Sequence, residues 1–159
     1  MLVYYIFIFL LILLVVIPFL RNNLKKKRDY AKLSQIVHQA TDQYCFLVDK
    51  EFHVKETNFY QLNENIPDDQ PYVLGNVLPC QTGCDSGLCG TGIACASCPV
   101  RTVLKNSFKR CSDFKSITAT MNLYDENHEP QAIDVKVDGQ FVYIGYDPHF
   151  LVNVRKSCE

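Results

Sequence analysis

Five of the chain's eight cysteines fall within nineteen residues, in the stretch PCQTGCDSGLCGTGIACASCPVR. The order is Cys80, three residues, Cys84, four residues, Cys89, five residues, Cys95, two residues, Cys98, with Gly83, Gly87, Gly90 and Gly92 between them. Glycine lets a backbone take left-handed turns, so a loop of this composition can fold back and aim several sulfurs at one centre. Four soft thiolates in a roughly tetrahedral set suit zinc or an iron–sulfur cluster. Cys95 and Cys98 form a CxxC pair able to chelate one metal, and Cys80 and Cys89 can supply the second pair, with Cys84 spare or an occasional substitute. A zinc ribbon would show two CxxC-like knuckles where this loop has one. A dithiol switch at Cys95 and Cys98 is the competing chemistry, and cysteines that are merely small buried apolar residues are the third reading. The loop has almost no apolar side chains of its own, so burial cannot offset its ordering entropy and a crosslink is called for. Metal coordination supplies one.

The elements that must position these thiols follow from patterning. Cys98 stands where a helix N-cap would, Pro99 suits the first helical position, and Val100, Val103, Leu104 and Phe108 continue at helical spacing. A thiol at that end meets the positive pole of the helix dipole, which favours thiolate. Upstream, Tyr30, Leu33, Ile36, Val37 and Ala40 share one helical face. CFLVD and FHVKETN then read as two strands joined by a tight turn at Lys50 and Glu51, and residues 59–74, with Pro67, Asp68, Asp69 and Pro71, as loop. Downstream, Ile117, Ala119, Met121 and Leu123 alternate with polar residues, as do Ile133, Val135 and Val137. Asp138-Gly139 is a two-residue hairpin signal leading into FVYIGY, and DPHFLVNVRKSCE reads as a tail, too short for an output domain.

Residues 2–20 carry no charge and are nearly long enough for a hydrocarbon core of about 30 Å. RNNLKKKR follows, with five of the sixteen basic residues. A cleaved signal would place its charge before the apolar run and end in small residues, whereas this run ends Ile17, Pro18, Phe19, Leu20. The order indicates an uncleaved single-pass anchor in the inner membrane, with the following domain in the cytoplasm. In that reducing compartment clustered thiols bind metal or do redox chemistry more often than they form structural disulfides. From Tyr30 onward eleven basic residues face sixteen acidic ones, a formal charge of −5 that excludes nucleic acid as a partner. No Ser-His-Asp order, phosphate-binding glycine motif or paired carboxylates stand out, so the chain is not read as an enzyme of those classes. Cys45, Cys111 and Cys158 stand apart from the cluster, and His38, His53, His128 and His149 are read as ordinary surface, strand, turn and tail residues.

The order of elements, with Val48-Asp49, Lys55 to Phe59 (KETNF), Leu74 to Leu78 (LGNVL) and a final three-strand meander, resembles a PAS domain over residues 30–147. The cysteine loop resembles that of a cysteine-bearing bacterial subgroup, whose pattern falls on Cys80, Cys89-Gly90, Cys95 and Cys98 and leaves Cys84 outside. The resemblance implies an α+β fold: a five-stranded antiparallel sheet with helices packed on one side, after one N-terminal transmembrane helix. The expected divisions are a transmembrane helix at 2–20, a basic juxtamembrane segment at 21–29, a PAS-like domain at 30–147 with its Cys-rich insert at 80–98, and a tail at 148–159. Flavin is disfavoured because LPCQTG lacks the Asn-Cys-Arg-Phe-Leu-Gln context of light-sensing PAS domains. Haem is disfavoured because the long helix has no histidine. The expected function is a membrane-anchored sensory or regulatory module whose metal (zinc or iron–sulfur) or redox state is passed to a separate protein partner, with a homodimer left open. The alternative is a small membrane-tethered thiol-disulfide oxidoreductase using Cys95 and Cys98, although its CxxC lies outside the usual βαβ setting.

Overall fold

The stretch CFLV is apolar at every position because both of its faces are covered. It forms β1 (Tyr44–Asp49), which lies inside an antiparallel sheet in the computed structural model, whose described residues are 2–59, 72–125 and 127–157. The expected loop at 59–74 lies mostly outside them, as does Cys158. The other strands are β2 (Val54–Thr57), β3 (Phe114–Tyr124), β4 (Pro130–Ile144) and β5 (Asp147–Lys156), in the order β2-β1-β5-β4-β3. The chain is α+β with five antiparallel strands, as expected. Side chains alternate across a strand. Phe46 and Val48 therefore join Val135, Val137, Phe150, Val152 and Val154 in the main core, while Cys45 and Leu47 join Ile144 and Leu151 on the opposite face.

That opposite face is closed by the end of α1 (Leu2–Gln39), a single helix of 38 residues. Tyr30, Leu33, Val37 and Ala40 pack there, while Ile36 of the expected apolar face is half exposed. Polar bonds fix the seam. Buried Asn58 accepts from the Cys45 N–H (2.7 Å) and donates to the carbonyls of Ala40 (2.8 Å) and Gln43 (2.9 Å). The Tyr30 hydroxyl bonds Glu56, and burial, followed by that carboxylate, pushes its pKa up to about 12. Lys26 pairs with Asp147 at 2.6 Å beside the β4–β5 turn. The first half of α1 is exposed, and this helix is long and apolar enough to cross a membrane.

The structure corrects two expectations. Asp138-Gly139 is not a turn: β4 runs straight through it, with Asp138 opposite Asn153 and Gly139 opposite Val152. Glycine is there for space, since a Cβ would collide with the Phe114 ring, and Asp138 is held by the Ser116 N–H (2.7 Å) and Arg155 (2.6 Å). The hairpin falls instead at Gly145-Tyr146, where Gly145 takes φ +66°. The expected strand at 133–137 and residues 141–144 of the next are thus one strand, and residues 148–156 of the expected tail belong to β5, which lies beside β1. A strand buried on both faces loses the period-two polarity that marks half-buried strands, so HFLVNV gives no alternation to read.

Candidate functional site: a four-thiol cavity

The cysteine loop hangs between the main core and the edge strand β3. It begins at α2 (Leu74–Val77), all of whose residues are buried. Cys80 pairs with Leu123 of β3, and the Tyr124 N–H donates to the Pro79 carbonyl at 2.8 Å. Then come α3 (Gln81–Asp85), a turn through Gly90 at φ +104°, and a 3-10 turn at Ile93–Ser97. The Tyr124 hydroxyl donates to Asp85 at 2.5 Å, a second tie from loop to sheet. The chain leaves through α4 (Pro99–Arg110), with Cys98 at its N-cap and Pro99 opening the helix, as the spacing predicts. Cys111 closes α4 in a left-handed conformation, exposed.

Cys80, Cys89, Cys95 and Cys98 all line one cavity of about 260 Å³. Cys84, on α3, is not among its lining residues. The walls are mostly apolar, with Leu74, Leu78, Val100 and Leu104 on the core side and Met121 and Val137 from the sheet. Arg101 is the one charged side chain among the described lining residues. Its guanidinium lies 4.8 Å from the centre of the Phe52 ring and reaches the Cys89 carbonyl at 3.5 Å. Phe52 itself sits at φ +68°, costly for a bulky residue, in the β1–β2 turn.

The environment of Cys80 and of Cys89 opposes the ionisation of each thiol. Burial pushes the Cys80 thiol up from its ordinary range; bonds from the Gly83 and Thr82 N–H groups pull it down, and neighbouring Cys98 and Cys95 push it up again. Burial likewise raises Cys89, against the Gly75 N–H and the Arg101 charge, with Cys95 and Cys80 adding to the rise. The Gly90 N–H lies 3.4 Å from the Cys95 sulfur. Thiolates gathered between mostly apolar walls repel one another, and a cation among them reverses that penalty. The N–H groups already aimed at the sulfurs favour the charged form.

Among the residues that patterning does not single out, Asn76 holds the loop closed. It is buried, accepts from the Cys89 N–H at 2.7 Å, and donates towards the carbonyls of Gly83 and Gly87 at 3.4 Å each. A Cβ at neighbouring Gly75 would collide with the Cys89 sulfur. The signals were a lone amide inside LGNVL and, for Arg101, a cation in the first turn of a helix, where the dipole disfavours it unless a partner compensates. Cys45 is a buried thiol donating to Asn153 at 2.8 Å, pushed up to about 11 by burial and then by Asp42. Asp49, Glu51 and His53 bring three potential ligand atoms together, but Asp49 accepts from the Glu51 and His53 N–H groups and pairs with Lys55 at 2.7 Å, as a turn requires.

No protein-family model matches the chain, and none of the curated proteins matches its sequence. Among solved structures, a LOV protein of Rhodobacter sphaeroides is similar with a TM-score of 0.52 at 14% identity, over 82% of this chain and 67% of that one. The fold is PAS-like. A PAS domain from a Desulfitobacterium hafniense protein aligns at 10% identity over 74% of this chain and 95% of that one, with a TM-score of 0.40. At these identities the likeness is one of fold alone.

Proposed function

We propose that the chain is a membrane-anchored PAS-like sensory or regulatory module in which Cys80, Cys89, Cys95 and Cys98 share one metal centre, zinc or iron–sulfur, or register redox state, and that this state passes to a separate protein. The observation that carries the reading is the convergence of these four thiols, separated by up to eighteen positions in sequence, on one apolar-walled cavity. Haem and flavin are disfavoured, since α4 has no histidine and LPCQTG lacks the flavin-binding context. The pairing of Cys80 with β3, and the contact of the β4–β5 turn with Lys26 and Asp29, give the sheet physical links to the site and to α1. The anchor is residues 2–20 in the inner membrane, and the basic run at 21–28 supports a cytoplasmic domain. The oxidoreductase alternative draws support from Cys98 at the N-cap of α4 beside Cys95.

Metal content of the full chain, purified anaerobically in detergent, tests the site. Each of Cys80→Ser, Cys89→Ser, Cys95→Ser and Cys98→Ser is expected to lose metal and to loosen the loop to proteolysis, while Cys84→Ser, Cys45→Ser and Cys111→Ser retain it. Stoichiometric metal in all variants would refute the assignment. Turnover of a dithiol substrate that disappears in Cys95→Ser would favour the oxidoreductase.

A further inference from the structure

Resting on the metal-site reading above, we infer that the four-thiol cavity takes an iron–sulfur cluster and not a single zinc ion. Zinc–sulfur bonds are about 2.3 Å, so the sulfurs of a tetrahedral site stand about 3.8 Å apart. Among the described residues, the one set of three potential ligand atoms lying within 4.8 Å of one another is Asp49, Glu51 and His53. No three of the four sulfurs meet that spacing. All four nevertheless line the same cavity of about 260 Å³. Sulfurs spaced more widely than a single tetrahedral ion draws them, with cysteines the only His, Cys, Asp or Glu among the cavity's described lining residues, fit a centre whose irons are held at separate points by separate cysteines.

The surroundings agree with that occupant. N–H groups of Gly75, Thr82, Gly83 and Gly90 bond the sulfurs, and hydrogen bonds to sulfur are among the features that tune a cluster's potential. Arg101, stacked on Phe52 beside Cys89, places a positive charge at the edge of the site. It would stabilise the reduced, more negative state. Loading by ligand exchange from a cluster-carrying donor leaves the oxidation states of iron and sulfide unchanged: four cysteine thiols release their protons and become the iron ligands as the donor's ligands leave.

The test is elemental and acid-labile sulfide analysis of the full wild-type chain, purified anaerobically in detergent, with a visible spectrum before and after dithionite. The expected result is iron and sulfide in equal, stoichiometric amounts, little zinc, and visible absorption that bleaches on reduction. Stoichiometric zinc without iron or sulfide would overturn this inference while leaving the four-thiol metal site standing; a wild type free of any metal would overturn both. R101Q should keep its iron and shift the midpoint potential to more negative values, with R101K restoring it. An unmoved potential at full iron content would overturn the part given to Arg101.

Discussion

The two faces of the sheet are closed by the same device used to different ends. On one face Asn58 ties the end of α1 to β1 with three bonds of 2.7–2.9 Å, over a small core of Val37, Cys45, Leu47, Ile144 and Leu151. On the other, Asn76 ties the cysteine loop with one bond of 2.7 Å and two of 3.4 Å, over a cavity. Hydrogen bonds weaken as they lengthen, so the second clasp is the looser. The first face is complete with its own side chains, whereas the second brings four thiols together with one cation at the edge. A loop held this way is ordered enough to preform a site and leaves the remaining stabilisation to whatever the thiols bind.

The most severe way to break the comparison is to disrupt the main core, on the same face of the sheet as the site. Val135, 2% exposed in β4, is packed in the main core with Val137, Phe150 and Val154. V135D should unfold the domain, because an unpaired buried charge costs several kcal/mol against a total stability of about 5–15 kcal/mol. A wild-type melting temperature for this variant would mean that the core face is misassigned. I117D, on the half-buried edge strand, should cost less.

Next in size is the contrast between the two amides. N58A removes three good bonds and strands a buried N–H and two carbonyls, for an expected loss of about 3 kcal/mol whether or not metal is present. N76A should cost less in the metal-free chain, and show its main effect as reduced metal retention and faster proteolysis within residues 80–98. Denaturant melts of both variants, with and without metal, check this. Equal losses, independent of metal, would erase the distinction between the faces.

Alkaline pH offers a smaller and reversible probe. Cys45, Cys80 and Cys89 are all raised by burial, so the folded metal-free chain keeps these protons to higher pH than the unfolded chain does. Stability from them is therefore full below the ordinary thiol pKa of about 8.5 and falls as pH rises through the folded values, which for Cys45 is about 11. Thiols already deprotonated by metal add nothing to that loss, so the loaded chain should decline less steeply. Parallel pH–stability curves for the loaded and metal-free chains would contradict it.

The smallest effect is expected at the surface. Lys26 and Asp147 are both more than half exposed, so D147N should change stability only at low salt, where the pair is unscreened. A large loss at physiological salt would show that the β4–β5 turn depends on α1 more than its geometry suggests.

Much of this architecture is legible in the sequence where a pattern has a single physical cause. The alternation of β3 marks a strand with one wet face, and Cys98-Pro99 before a helical apolar stripe marks the start of α4. The apolar run at 2–20 marks a helix able to cross a membrane. Legibility fails where one residue pair serves two causes. Asp-Gly is a turn signal when glycine is needed for its backbone, but Gly139 is needed for the absence of a side chain under Phe114. β5 is hidden for a related reason: central and buried on both faces, it looks like an unpatterned tail. Within the site the four thiols are legible from their type and spacing, but Asn76, Arg101 and Phe52 act through partners distant in the chain, which spacing cannot reveal.

The central claim is that Cys80, Cys89, Cys95 and Cys98 together hold one metal centre. X-ray absorption at the edge of the bound metal, on the anaerobically purified full chain, tests it most directly. The account predicts a first shell of sulfur alone, diminished or lost in Cys89→Ser and unchanged in Cys84→Ser. Nitrogen or oxygen ligands in the wild-type shell, or a wild-type spectrum in Cys89→Ser, would contradict it.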